Sequence, residues 1–131
     1  MIGVDTNILV RAFLEDDYEQ AKKSQNFLEA YSQKGRIFIS SYTILEFFWV
    51  LKTKKYTRSE IYDAVITFLD SPRLIVGQRE VVLTALEKYL KGKADFGDYM
   101  ILSEGEQYNC YHLKTFDQDL INESSFISLP D

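Results

Sequence analysis

Two runs of three apolar residues, Ile37-Phe38-Ile39 and Leu74-Ile75-Val76, constrain this chain more than any other feature. Ile37-Phe38-Ile39 lies between Gly35 and two serines and does not alternate with polar residues, so it reads as a strand covered on both faces. Leu74-Ile75-Val76 reads as another short strand. The segments around them carry helical periodicity, and strands joined through helices are crossovers. Crossovers make a parallel sheet between helical layers. The opening Met1-Ile2-Gly3-Val4 reads as a further buried strand that stops at Asp5. In an open parallel sheet, side chains just past the carboxyl ends of strands line the ligand crevice, and a first strand often occupies the middle. Asp5 is therefore a candidate site residue, or else a cap for the next helix, a job for which Asp is well suited.

The helices follow in order. Ile8, Leu9, Ala12 and Phe13 keep helical spacing until Asp16-Asp17 interrupts it. A second helix spans about Tyr18 to Lys34, with Ala21, Phe27, Leu28 and Tyr31 inward and Gly35 as its stop. Ser40-Ser41 can cap a helix carrying Ile44-Leu45-Glu46-Phe47-Phe48-Trp49-Val50-Leu51, whose apolar residues run all the way round and predict burial. Thr57-Arg58-Ser59-Glu60 has the form of a capping box, and Ser71-Pro72 ends the helix it opens. Val82, Ala85, Leu86, Tyr89 and Leu90 repeat the same spacing up to Gly92, and another helix begins near Asp95. Two last strands, near His112 to Thr115 and Phe126 to Leu129, flank the acidic turn Asp117-Gln118-Asp119.

A length of 131 residues suits one domain over 1–131, able to bury about two-thirds of its unfolded surface. With 46% hydrophobic and 27% charged residues, disorder is excluded. The longest apolar run, Phe47 to Leu51, is too short for a membrane span, and no targeting segment opens the chain. A single cysteine, Cys110, forms no internal disulfide, which suits a reducing cytoplasm. Cys110 with His112 is half a zinc site at most, and a core thiol beside a strand histidine is the simpler reading. The net charge of −5 argues against gripping nucleic acid by bulk positive charge. It does not exclude nucleic acid, because acids gathered around a metal misrepresent the surface a substrate meets. Lys52, Lys54, Lys55 and Arg58, and again Lys91 and Lys93, form local basic groups that solvated helix ends also explain.

The carboxylates carry the chemistry. Glu46 is a lone charge inside a run of large apolar side chains, and burying an unpaired carboxylate there costs several kcal/mol. Its helical neighbours Tyr42, Thr43, Trp49 and Val50 are not cationic, so compensation has to come from another element, a metal, or water at an edge. Asp95 and Asp98, three apart, fit a helix start, where one acid is enough and two repel each other unless a cation lies between. Asp117 and Asp119 follow a strand as Asp5 does, although an Asp-rich turn is the commoner meaning of such a pattern. Four converging carboxylates call for a divalent cation, and hard oxygen ligands select Mg²⁺ or Mn²⁺. Such a pocket suits phosphodiester hydrolysis.

The opening Ile2-Gly3-Val4-Asp5-Thr6-Asn7-Ile8-Leu9-Val10-Arg11, the Leu45-Glu46 helix, Ala94-Asp95-Phe96-Gly97-Asp98 and Thr115-Phe116-Asp117-Gln118-Asp119-Leu120 together resemble the PIN-domain family. They are most similar to the VapC-type ribonuclease toxins of bacterial and archaeal toxin-antitoxin pairs. The resemblance implies a three-layer α/β/α fold around a central five-stranded parallel sheet. It also implies Mg²⁺- or Mn²⁺-dependent endoribonuclease activity on an RNA substrate, homodimerisation, and neutralisation by a cognate VapB-type antitoxin. Carried across residue by residue, it places Asp5, Glu46, Asp98 and Asp117 at the four acidic positions, with Asp95 and Asp119 as further metal-side acids. Thr6, Asn7 and Thr115 take supporting roles, and a metal-activated water is the expected nucleophile. Gly97 stands where many relatives have Ala.

Other readings compete. A Mg²⁺-dependent phosphatase of the haloacid dehalogenase type needs an acid two residues after its nucleophilic Asp, and position 7 is Asn. A phosphorylation receiver needs a late lysine, and Lys114 precedes the acidic turn. A catalytically silent PIN-like binding module is the third. The aromatic group Tyr42, Phe47, Phe48, Trp49, Tyr56 and Tyr62 exceeds the needs of one small core, and part of it is read as a dimer or antitoxin surface.

Overall fold

The computed structural model describes residues 1–131, which form two compact units, Met1–Arg79 and Glu80–Asp131. The architecture is α/β. In the first unit the order is β1 (Ile2–Gly3), α1 (Thr6–Leu14), α2 (Tyr18–Lys34), β2 (Ile37–Ile39), α3 (Ser41–Thr53), α4 (Arg58–Asp70) and β3 (Leu74–Val76). The strands form a parallel sheet of order β1-β2-β3, with Ile2 opposite Ile37 and Ile37 opposite Leu74. Parallel neighbours need crossovers, and helices α1 and α2 then α3 and α4 supply them. All three strands therefore end at the same edge, where Asp5, Ser40 and Gly77 follow.

Ile37 and Ile39 are fully buried while Phe38 is half-buried, as expected of a strand between layers. Strand β1 differs from expectation. Its two residues are both exposed, and within this sheet it lies at an edge rather than the middle. The core is led by α3, whose Phe47 meets Phe13 of α1 at 5.6 Å and Phe68 of α4 at 5.2 Å, both edge-on. Thr43, Ile44, Phe47, Phe48 and Leu51 are buried, but Tyr42, Glu46 and Trp49 are exposed. The all-round apolar pattern thus overstates the burial of α3, because its aromatic residues divide between core and surface.

Local chemistry sets the helix ends. The Thr57 hydroxyl accepts the Glu60 N–H at 3.1 Å and Glu60 accepts the Thr57 N–H at 2.9 Å, completing the expected capping box. Gly35 stops α2 with extended backbone rather than a left-handed turn. Left-handed backbone is instead taken by Glu15, Lys55, Gln78 and Asn109, with φ between 51° and 65°.

The second unit contains α5 (Arg79–Lys91, which begins on the last residue of the first), α6 (Phe96–Gln107), β4 (Leu113–Lys114), α7 (Gln118–Ile121) and β5 (Ile127–Ser128). Strands β4 and β5 pair in parallel as a sheet of their own. The strands thus form a three-stranded and a two-stranded sheet, not the single five-stranded sheet expected. With β1, β4 and β5 only two residues long, each ladder holds few hydrogen bonds. Cys110 and His112 are exposed and precede β4, so they are neither core residues nor strand residues. The acidic turn is a single helical turn, α7.

A buried tyrosine organises this unit. The Tyr99 hydroxyl donates to Glu123 Oε1 at 2.6 Å and accepts the Ala94 N–H at 3.2 Å. Gly92 lies against it so closely that a Cβ would collide with the hydroxyl oxygen. Glycine ends α5 here because of space, not backbone angle. No helix in either unit is long and apolar enough to cross a membrane.

Two outcomes follow. Phe47→Ala should destabilise the chain by about 3–5 kcal/mol in urea titration, since a large aromatic is lost from a sealed site. Glu60 has its pKa lowered, first by the Thr57 backbone N–H and then by the Thr57 hydroxyl. A depressed carboxylate stabilises the fold above its unfolded pKa and loses that contribution as pH falls through the folded value. Glu60→Gln should therefore melt below wild type at neutral pH, and the gap should close on acidification; a pH-independent gap would contradict this.

Candidate active site

In the first unit the site starts from Asp5, which leaves β1 in extended conformation and caps α1. Its Oδ1 accepts the Thr6 N–H at 2.7 Å. Thr6 is buried, and its hydroxyl donates to Glu46 Oε2 on α3 at 3.0 Å. One threonine thus ties together two acids from distant segments of the sequence, and uses one oxygen of each. No lysine or arginine pairs with either carboxylate. Asp5 accordingly caps α1 through one oxygen, as the sequence allowed, and its other oxygen takes no part in that bond.

Glu46 is exposed, so the large burial cost anticipated for it does not arise. Its helix presents Tyr42, Glu46 and Trp49 outward, and water relieves the charge. The remaining signal is pairing: Glu46 faces Asp5 through Thr6. Asp5, but not Glu46, also lines a cleft of about 550 Å³, walled by Val4, Asn7, Ile8 and Phe27 and carrying Arg11 and Lys23. Asn7 is exposed on it. Arg11 is paired with Asp16 at 3.1 Å. The sequence did not mark Arg11 or Lys23 as lining a cleft; Lys23 lies four residues before Phe27 on α2 and so shares its side.

In the second unit, Asp95 is the N-cap residue of α6, and Asp98 Oδ2 accepts the Asp95 N–H at 3.3 Å. Asp98 reaches back to the backbone as the third residue of a capping box does, so a capping bond accompanies the like charges here. After β4, the Thr115 hydroxyl accepts the Asp117 N–H at 3.1 Å. Asp117 Oδ1 in turn accepts the Asp119 and Leu120 N–H groups at 2.9 and 3.2 Å. Thr115 therefore fixes the backbone of Asp117, while Asp119 is exposed on a groove of about 530 Å³ that also carries Lys88, Lys91 and Lys93.

The PIN domain matches residues 2–123, nearly the whole chain. The chain belongs to the PIN-domain family. It is also 30% identical over 97 residues to a VapC ribonuclease of Aquifex aeolicus (strain VF5), covering 72% of this chain and 71% of that protein. The resemblance carried by the four acidic segments is thus borne out at the level of family, and this PIN-domain chain is similar to a nuclease.

The donor chemistry can be tested against the divalent ion that such a family implies. Within neither unit do three His, Cys, Asp or Glu side chains gather closely enough to ligate an ion alone. Mg²⁺ does not require that, since it is commonly held by one or two carboxylates with water and substrate phosphate completing its shell. Asp5 and Glu46 offer hard oxygens, lack competing cations and are held together by Thr6. The residues fit. Thr6→Val keeps shape but removes the bond to Glu46, and it should weaken Mn²⁺ binding by about 10–100-fold, read by electron paramagnetic resonance. The melting temperature should barely move; unchanged Mn²⁺ affinity would remove Thr6 from the site.

Proposed function

We propose that residues 1–131 act as one PIN-like domain, a VapC-type endoribonuclease toxin that hydrolyses RNA phosphodiester bonds with the help of Mg²⁺ or Mn²⁺. The observation that carries this reading is the Thr6-bridged pair Asp5 and Glu46, free of any cationic partner, in a chain whose family includes ribonucleases. Asp5, Glu46, Asp98 and Asp117 are assigned to the ion, with Asp95 and Asp119 as supporting acids. Thr6, Asn7 and Thr115 hold those acids or their water in place.

When bound, the divalent ion would polarise a phosphoryl oxygen and lower the pKa of water. The chain's own residues do the rest. Thr6 fixes the rotamer of Glu46 through its hydroxyl and that of Asp5 through its amide. Asp5 keeps one oxygen in the α1 cap, so only the other is available outward. Thr115 holds the turn from which Asp117 projects. No histidine stands among these residues, so the proton of the attacking water passes to a carboxylate.

On this reading the protein acts in the cytoplasm, as a homodimer, until a VapB-type antitoxin covers it. Asn7 at the position where a dehalogenase-type phosphatase needs its second acid argues against that alternative. A silent binding module remains the other outcome of one experiment. Purified chain with Mg²⁺ or Mn²⁺ should cut single-stranded RNA and stop cutting with chelator. Asp5→Asn should lower the rate about 100-fold or more while leaving the fold intact by circular dichroism. Cleavage that survives both chelator and Asp5→Asn would overturn the assignment, and no cleavage by wild type would favour the silent module.

A further inference from the structure

Tyr42 and Trp49 stand out among the exposed side chains. They are 75% and 67% accessible, on the same helix whose Phe47 and Phe48 are sealed in the core. Helical geometry places Tyr42, Glu46 and Trp49 within an arc of about 60° on one face of α3, one turn before and one turn after the acid. Neither ring stacks on another aromatic of the chain. The pair is separated along the axis by about 10 Å. Three stacked nucleotides at about 3.4 Å each cover that length.

We propose that Tyr42 and Trp49 are stacking platforms for unpaired RNA bases on either side of Glu46. The inference rests on the nuclease reading above for the identity of the polymer, and adds which form of RNA is taken and which residues take it. Proteins that hold single strands without strict sequence preference combine aromatic faces with nearby positive charge. That combination is present here. Lys54 and Lys55, both exposed, follow Trp49 within six residues, where α3 ends. A contact between two copies of the chain is the rival use of exposed aromatics. The cores of such interfaces are depleted in acidic residues, whereas this pair has a carboxylate at its centre. Duplex RNA is excluded as the preferred form, because its bases are stacked on one another and closed to side chains.

Trp49 is the only tryptophan, so its emission reports this face alone. The test uses the full chain in chelator, which prevents cleavage, titrated with a 2′-O-methyl RNA ten-mer carrying a fluorescent end label. Saturable quenching of Trp49 is expected, matched by the anisotropy of the label. Tyr42→Ala and Trp49→Ala should each weaken binding about tenfold or more at unchanged melting temperature, with Trp49→Phe restoring most of it. The corresponding duplex should compete poorly. Trp49 emission that stays constant while the label shows saturation, or full affinity in both alanine variants, would overturn the proposal. So would emission that changes with protein concentration and sedimentation but not with RNA, which would mark a face between copies. The two readings fail separately. Quenching without any cleavage in Mg²⁺ or Mn²⁺ keeps the platform and removes the nuclease, while cleavage at full kcat/KM by both alanine variants does the reverse.

Discussion

Parallel strands cannot be joined by a tight turn, and in the first unit that restriction determines where the chemistry lies. Each of β1, β2 and β3 ends at the same edge of its sheet, because helices carry the chain back to start the next strand. Asp5 is therefore the first residue free to point away past β1, and α3 starts directly after β2. Glu46 rides one turn into α3, close enough for Thr6 to reach it. The acids meet because of the connection rule, and Thr6 converts the meeting into a fixed distance. The buried position of Thr6 matters as much as its hydroxyl, since a β-branched side chain enclosed in the fold has few rotamers to offer.

Much of the fold was legible because local signals and tertiary demands agreed. The limits of α2, β2 and β3 coincide with the expected ones, and Thr57 and Glu60 form the anticipated box. Those segments have strong periodicity or unambiguous flanking residues. Legibility failed where the outcome rests on long-range packing. A run such as Ile44 to Leu51 does not say which of its aromatic residues finds a partner, and only packing against Phe13 and Phe68 selects Phe47 for the interior. Glu46 was singled out by an expected burial that it does not have; what the structure gives it instead is a bond to Thr6. Cys110 and His112 were placed inside by the usual preference of these residue types, but the chain around them is exposed. Strand pairing was the weakest inference, because two-residue strands leave almost no pattern to read.

The second unit shows a different economy of means. Tyr99 holds the start of α6 and the end of α7 through one hydroxyl, which donates to Glu123 and accepts from Ala94. That bond network needs Gly92 to make room. Asp95 and Asp98 lie at the start of the same helix, so the segment in which the family likeness placed two acids is also the segment that Tyr99 secures. Asp117 depends similarly on Thr115, and in both cases a hydroxyl group sets the backbone from which a carboxylate projects.

The left-handed bends have a consequence for how far this protein stands from its ceiling. Glu15, Lys55, Gln78 and Asn109 adopt the one region of backbone space that suits glycine, while none of the glycines does. Each such residue other than Asn carries a steric penalty of about 1 kcal/mol. The molecule thus holds a reserve of robustness at its corners, and at Glu15 and Gln78, which no part of the chemistry uses, directed evolution toward heat resistance would find its first gains.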